Sequence, residues 1–183
     1  FGLVQETYQH NLYHLVVQAI LWNQTRGKAA IHILRKLLVL YPNPESLSLA
    51  KDHDLIALLR PIGLQSIRAK RLIALGQMWV SQPPKASILY KVRYRCKEVS
   101  ESEWEIAHLP GVGKYAIDSY RIFHRDQLRG FAQSWDDRLV HLSDDFTAFE
   151  PEWKRVVPED KDLRAFLIWA WQEVGYEWNP ITG

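Results

Sequence analysis

A single cysteine, Cys96, stands in a chain of 183 residues. One thiol excludes an intramolecular disulfide, a cysteine-ligated iron–sulfur cluster and a cysteine-based zinc finger, and fits a reducing compartment. Long apolar runs are missing too. The stretch Leu12 to Trp22 is broken by His14 and Gln18 and is too short to cross a bilayer, so no membrane partner is expected. No signal peptide is visible, and the abrupt start at Phe1 fits a fragment whose targeting segments are missing. An excess of one charge is also lacking, with 23 Lys and Arg against 21 Asp and Glu and a formal net charge of +2. That balance neither demands nor forbids a nucleic-acid partner, because a local basic patch suffices. There is no internal repeat, no low-complexity tract and no G-x-S-x-G nucleophile elbow. What is present is 47% hydrophobic and 24% charged residues, ordinary for a globular protein and wrong for a disordered one. The length suits one domain, or two tightly packed lobes, with a real core. Eight tryptophans serve either as core or as stacking platforms for bases; the usual burial of aromatics favours the core.

The apolar pattern is helical almost throughout. Tyr13, Val16, Val17, Ile20 and Leu21 recur at helical spacing, as do Ala30, Ile33, Leu34, Leu37 and Leu38. Asn23 and Thr25 separate these two helices, with Thr25 as the expected N-cap of the second. Asn43 then caps a helix with Pro44 at its first position. A short helix follows through Leu55, Leu58 and Leu59. The turn Pro61-Ile62-Gly63-Leu64 comes next, then a helix from about Ser66 to Val80. Ile88, Tyr90, Val92 and Tyr94 alternate with Lys91 and Arg93, which marks a short extended segment or a basic loop. Helix is expected again over Ser102–His108, from Lys114 to His124, and near Asp136–Leu142. The last helix starts at Pro158-Glu159-Asp160 and carries Leu163, Phe166, Leu167, Trp169, Ala170 and Trp171. Many short helices and almost no strand predict an all-α chain of two helical lobes.

Leu109-Pro110-Gly111-Val112-Gly113, set between two expected helices, is the most specific signal. Its glycines permit torsions barred to other residues and let a second backbone approach. Gly113 sits just ahead of a helix, so free N–H groups make a phosphate-binding site, and Lys114 adds charge. This is the helix-hairpin-helix pattern that grips a DNA backbone without reading sequence. The plainer alternative is a tight turn with no ligand. It is not a nucleotide phosphate loop, since His108 stands five residues before Gly113 where a glycine is required. For chemistry, Asp160 offers an acid at a helix start, where the dipole favours negative charge. A carboxylate there suits a sugar whose C1′ turns oxocarbenium-like as its base departs, and it can activate water. Taken alone, Asp160 is also an ordinary helix cap, and Asp136 and Asp137 compete for the role.

Gly113-Lys114-Tyr115 with Asp118-Ser119-Tyr120-Arg121-Ile122-Phe123, then Val157-Pro158-Glu159-Asp160 and Trp169-Ala170-Trp171, resemble the glycosylase domain of the methyl-CpG-binding-domain mismatch glycosylases. The wider superfamily is that of the helix-hairpin-helix DNA glycosylases. Leu21-Trp22-Asn23-Gln24-Thr25 and Pro61-Ile62-Gly63-Leu64 with Arg68-Ala69-Lys70 agree with the same pattern, and the resemblance spans about residues 2–82 and 104–173. It implies a single two-lobed glycosylase domain over 1–183 with its active site in the inter-lobe cleft. It implies Asp160 as catalytic acid and Tyr115 in the pyrimidine pocket, at a place where lyase-competent relatives carry lysine. Tyrosine forms no Schiff base, so a monofunctional enzyme that removes thymine or uracil opposite guanine is implied. Leu64, with Ile62 beside it, matches the wedge that enters the duplex as the base flips, and Gln24 matches the plug. Gly111, Gly113 and Lys114 would hold the backbone of mismatched double-stranded DNA. No organic cofactor or catalytic metal is implied, only a monovalent cation on hairpin carbonyls. A nuclear monomer is the expectation.

The departures are specific. Gln24 stands where the methyl-CpG-binding family carries arginine and resembles the adenine-mismatch and endonuclease III branches. Glutamine still hydrogen-bonds an orphan guanine, but opposite-base preference stays open. Residues 83–103 and 125–157 are longer than in the family, so Asp160 rests on its flanking Pro158-Glu159 and the Trp169/Trp171 helix. Two alternatives are therefore kept: a glycosylase for another base, and a DNA-binding module without chemistry. His10 and His14 lie one helical turn apart but find no third metal ligand. Lys85, Lys91, Arg93, Arg95 and Lys97, and separately Arg68, Lys70 and Arg71, either track phosphates or form solvated faces.

Overall fold

The chain is described from a computed structural model over residues 1–23, 25, 27–94, 102–138 and 150–180. Among these residues the helices are α1 (Val4–Tyr8), α2 (Leu12–Trp22), α3 (Gly27–Leu40), α4 (Pro44–Ser48), α5 (Asp52–Leu59), α6 (Gln65–Ser81), α7 (Lys114–Phe123), α8 (Arg125–Leu128) and α9 (Lys161–Glu173). Short 3-10 turns occupy Arg60–Ile62, Asp136–Arg138 and Glu152–Arg155. The strand content described is one antiparallel pairing of β1 (Tyr90–Lys91) with β2 (Glu103–Trp104), Tyr90 opposite Trp104. No described helix is long and apolar enough to cross a membrane. Two compact units divide the chain: unit 1 takes residues 1–15 and 117–183, and unit 2 takes residues 16–116.

Unit 2 is built on apolar stripes at helical spacing. α3 buries Ala30, Ile33, Leu34 and Leu37. Asn43 caps α4, its side chain accepting from the Ser46 amide at 2.8 Å, with Pro44 pre-set for the first turn. α4 and α6 approach so closely that a Cβ on Gly76 would lie 2.6 Å from the Ser48 nitrogen and 2.9 Å from the Pro44 oxygen. That contact explains a glycine inside α6, where its helix propensity costs about 1 kcal/mol relative to alanine.

Unit 1 centres on α9, which buries Leu163, Phe166, Leu167 and Ala170. The Phe166 ring lies 4.8 Å from Phe123 and 4.8 Å from Trp135, centroid to centroid. Trp135, Trp153 and Trp178 are buried in this unit, as Trp104 is in unit 2, so these tryptophans are core side chains. Glu152 is buried with two arginines: its carboxylate takes Arg121 Nε at 2.7 Å and Arg125 at 2.8 Å. Arg121 also donates to the Arg155 carbonyl at 3.2 Å, and the Glu152 amide donates to Asp126 at 2.9 Å. This cluster fastens the turn that precedes α9 onto α7 and α8, and so sets where Asp160 begins the last helix.

Two expected helices differ. Residues 102–108 form β2 followed by overlapping turns, Ala107 N to Trp104 O at 3.1 Å and Leu109 N to Ile106 O at 3.1 Å. Trp104 through Leu109 are six consecutive buried residues, which leaves no solvent face for a surface helix. Pairing with β1 at one end adds a further tie, and at the other end the His108 ring stacks on Tyr90 at 3.8 Å and bonds the Gln82 carbonyl at 2.8 Å. The helix expected near Asp136–Leu142 is a 3-10 turn over Asp136–Arg138, and 139–149 lie outside the described residues.

Candidate functional site

The hairpin closes through Val112 N donating to Leu109 O at 3.2 Å, and α7 starts at Lys114. Helix therefore flanks it on its C-terminal side only. Its two glycines have different reasons. Gly111 has φ +88°, and a Cβ there would meet Ile20 Cδ1 at 3.0 Å, so this position needs glycine for both torsion and space. Gly113 has neither constraint: nothing lies within 4 Å of a Cβ built on it. Beside it, Lys114 and Tyr115 are half-buried. Gln18 Nε2 donates to Tyr115 Oη at 3.4 Å. Gln18 is wholly buried among Val16, Val17, Ala19, Ile20 and Leu21, and its Oε1 has no hydrogen-bond partner among the described residues. A buried orphan acceptor costs about 1–3 kcal/mol, and such groups concentrate where a ligand or a strained site uses them.

The turn before α6 carries a second exception. Leu64 has φ +51°, the one non-glycine residue with positive φ among those described, and follows Gly63 at φ +70°. A left-handed leucine costs about 1–2 kcal/mol, yet Leu64 is 50% exposed. Strain and exposed apolar surface together give nothing to folding. Ile62 is half-buried beside it. Arg68, expected on a DNA-facing or solvated surface, is instead buried. It donates to the Ile62 carbonyl at 3.2 Å, to the Asn23 carbonyl at 2.8 Å and to Thr25 Oγ1. Burial first, and then Arg71 nearby, pull its guanidinium below the ordinary arginine range. Lys70 and Arg71 remain exposed. Thr25 lies two residues before the start of α3 and receives Arg68. Gln24, between Asn23 and Thr25, lies outside the described residues.

Asp160 belongs to unit 1. It is the N-cap of α9, and one carboxylate oxygen, Oδ1, accepts from Asp162 N at 2.9 Å and Leu163 N at 3.0 Å. Oδ2 makes no hydrogen bond among the described residues, so the cap uses one oxygen and leaves the other. The competing acids are spent on a local turn: Asp137 Oδ2 accepts from Gln133 N at 2.7 Å and Ser134 N at 2.8 Å, and Asp136 takes the Ser134 hydroxyl. His10 is exposed and His14 packs its ring against Tyr8 and Tyr13. Among the described residues no group of three or more His, Cys, Asp or Glu is placed to hold a metal. Of the basic loop, Lys85, Lys91 and Arg93 are exposed, with Arg93 donating to the His108 carbonyl at 3.3 Å; Arg95 and Lys97 lie outside the described residues.

Residues 17–167 match the HhH-GPD superfamily base excision DNA repair proteins. The chain belongs to that superfamily. It is 31% identical over 101 residues to the thymine-DNA glycosylase of Aeropyrum pernix, covering 55% of this chain and 40% of that protein. It is 29% identical over 122 residues to the methyl-CpG-binding domain protein 4-like protein of Arabidopsis thaliana, covering 67% of this chain and 23% of that one. With the thymine/uracil-DNA glycosylase of Pyrobaculum aerophilum it shares 28% over 102 residues, 56% of this chain and 39% of that one. The chain thus spans less than half the length of these curated relatives. Among solved structures it is similar to a thermostable thymine-DNA glycosylase, with TM-score 0.49, 21% identity, and 68% of this chain and 51% of that one covered. It is also similar to a trapped endonuclease III–DNA covalent intermediate, with TM-score 0.47, 20% identity, and coverage of 66% and 49%. The HhH-GPD match contains the hairpin, the Leu64 turn and Asp160. Within it, sequence reasoning missed Gln18 and the inward course of Arg68. The first had a visible signal, a lone amide in an apolar stretch. The second had none, because Arg68 sits among Lys70 and Arg71 like any surface cation.

Proposed function

We propose that this HhH-GPD chain is a monofunctional DNA N-glycosylase that removes thymine or uracil opposite guanine, acting as a monomer on double-stranded DNA. The observation that carries the reading is Asp160, a carboxylate whose Oδ1 is pinned by two amides while Oδ2 is left to act. In this reading the hairpin amides and the open space at Gly113 receive a phosphate of the substrate strand. Leu64, already exposed and set in its turn, enters the duplex; Ile62 backs it, and Gln24 fills the vacated place opposite guanine. Flipping costs least at a mismatch, which favours G:T and G:U over A:T. Tyr115, bonded by Gln18, lines the pocket that receives the pyrimidine.

The C1′–N1 bond then breaks with its electron pair leaving on the base. Asp160 stabilises the oxocarbenium-like sugar and orients the water that adds at C1′, taking up its proton. Tyr115 offers no amine for a Schiff base, so an abasic site remains and no β-lyase step follows. No organic cofactor enters. A monovalent cation on the hairpin carbonyls belongs to the same reading; bound there it would neutralise phosphate charge. In this reading the protein works on genomic DNA in the nucleus.

The test is single-turnover excision on labelled duplexes holding one G:T, G:U, A:T or G:A pair, each with and without alkali. Alkali-dependent cleavage at G:T or G:U alone is expected. Release of adenine from G:A would move the chain to another glycosylase branch, as Gln24 suggests. Strand cleavage without alkali would overturn the monofunctional assignment. Binding without excision on every duplex would leave a DNA-binding module.

A further inference from the structure

We propose that Arg68 is the positioning residue that ties the Leu64 turn to Asn23 and Thr25, so that the wedge enters the duplex from a turn held in one register. This rests on the reading of Leu64 as the wedge. Arg68 is 3% exposed. Its side chain reaches two loops far apart in sequence: Ile62 O at 3.2 Å on one, Asn23 O at 2.8 Å and Thr25 Oγ1 on the other. Ile62 is two residues before Leu64, and Asn23 and Thr25 flank Gln24. The Arg68 amide itself donates to the Leu64 carbonyl at 2.9 Å, so backbone and side chain of one residue bind both segments. Thr25 Oγ1 also donates to Asn23 O at 3.4 Å, which links these two acceptors to each other.

Every acceptor is neutral, and no carboxylate pairs with Arg68 among the described residues. Burying a guanidinium on carbonyls and a hydroxyl alone is a poor way to stabilise a fold, since charge burial is costly without an opposite charge. What the arrangement supplies is geometry. A planar fork with donors at fixed angles sets the spacing of two loops, which the single ammonium of a lysine cannot do. Its burial also removes Arg68 from phosphate contact and leaves that role to Lys70 and Arg71, which are exposed.

The experiment uses a G:T duplex whose thymidine carries a 2′-fluoro group, which resists hydrolysis, with 2-aminopurine next to it as a reporter of flipping. Wild type, Arg68→Met, Leu64→Ala and the double variant are compared, each with its melting temperature and its affinity for matched duplex. Arg68→Met is expected to lower the flipping equilibrium by about tenfold or more while matched-duplex affinity holds. The double variant should flip no worse than the poorer single variant, because both act through one element. Arg68→Lys should not restore flipping. If Arg68→Met does not fold, Thr25→Val deletes one acceptor without touching the buried cation and should move the signal the same way by less. Unchanged flipping in these variants, or losses that add in the double variant, overturns the proposal while the wild-type signal upholds the glycosylase reading. A wild type that raises no signal on mismatched DNA overturns that reading, and this one with it.

Discussion

Asp160 is asked to do two things, and they need different properties of its side chain. Capping α9 needs an acceptor oxygen for the amides of Asp162 and Leu163, 2.9 and 3.0 Å away. The proposed chemistry needs the negative charge on the other oxygen. Asparagine supplies the first and lacks the second, and it ranks with aspartate as an N-cap. Asp160→Asn should therefore lose only the charge–dipole part, about 0.3–1 kcal/mol. For a chain of 183 residues that corresponds to a fall in melting temperature of about 1–4 °C. Asp160→Ala loses the acceptor as well and should be about 1 kcal/mol less stable than Asp160→Asn. Excision behaves differently: both variants should fall by about 10²–10⁴-fold in single-turnover rate, the usual contribution of a positioned acid or base. The assay pairs thermal melting with excision at saturating enzyme, so a binding defect does not masquerade as a chemical one. Refutation is simple to see. Asp160→Asn excising within about threefold of wild type would make Asp160 a cap and nothing more. Asp160→Asn melting as low as Asp160→Ala would show that the cap geometry was misjudged.

The hairpin glycines should separate in the opposite sense: Gly111→Ala, driven into Ile20 at positive φ, should lower the melting temperature, whereas Gly113→Ala should leave it level or raise it and weaken duplex DNA binding in a fluorescence-anisotropy titration. Glu152→Gln leaves Arg121 and Arg125 buried against a neutral amide and should cost about 3–5 kcal/mol in urea unfolding; a loss below about 1 kcal/mol would mean that the ion cluster does not hold the turn before α9. His108 and His124 are both pulled below the ordinary histidine range, chiefly by burial, so the unfolded chain takes up protons first as pH falls. Stability should be flat above about pH 6.5 and decline as pH drops from there to the folded-state values; His124→Gln should flatten part of that slope in melts run at stepped pH.

How much of this was legible depends on which forces act locally. The stripes of α3 and α9 and the Asn43-Pro44 start of α4 are written in residues a few positions apart, and periodicity and capping chemistry read them directly. Residues 102–108 carry no such local signature. Their conformation is set by Tyr90 across the strand pair and by Gln82 under the His108 ring, partners that only tertiary contact supplies. The candidate site divides in the same way. Gly111 and Asp160 announce themselves through torsional and capping rules. The identity of Gln18 as the donor to Tyr115, 97 residues away, and of Arg68 as the tie between two loops, 45 residues from Asn23, appears only once the helices are packed.

What distinguishes the candidate site from the rest of unit 2 is that its residues break local rules without a folding return. Gly76 and Gly111 are glycines because a neighbour occupies the space a Cβ would take. Gly113 has open space and ordinary φ, so its extra unfolded-state entropy is lost for no internal contact. Leu64 combines positive φ with half its surface in water, and Gln18 buries an acceptor that none of the described residues satisfies. Each is a small local expense, and a sequence selected for stability alone would remove all three. The two sets should therefore respond oppositely to substitution. Changes at Gly76 and Gly111 should damage the fold and impair function only through it. Gly113→Ala, Leu64→Gly and Gln18→Leu should hold or raise the melting temperature while binding, flipping or excision declines. A loss of stability at the second set would mean that these features belong to the fold and not to a site.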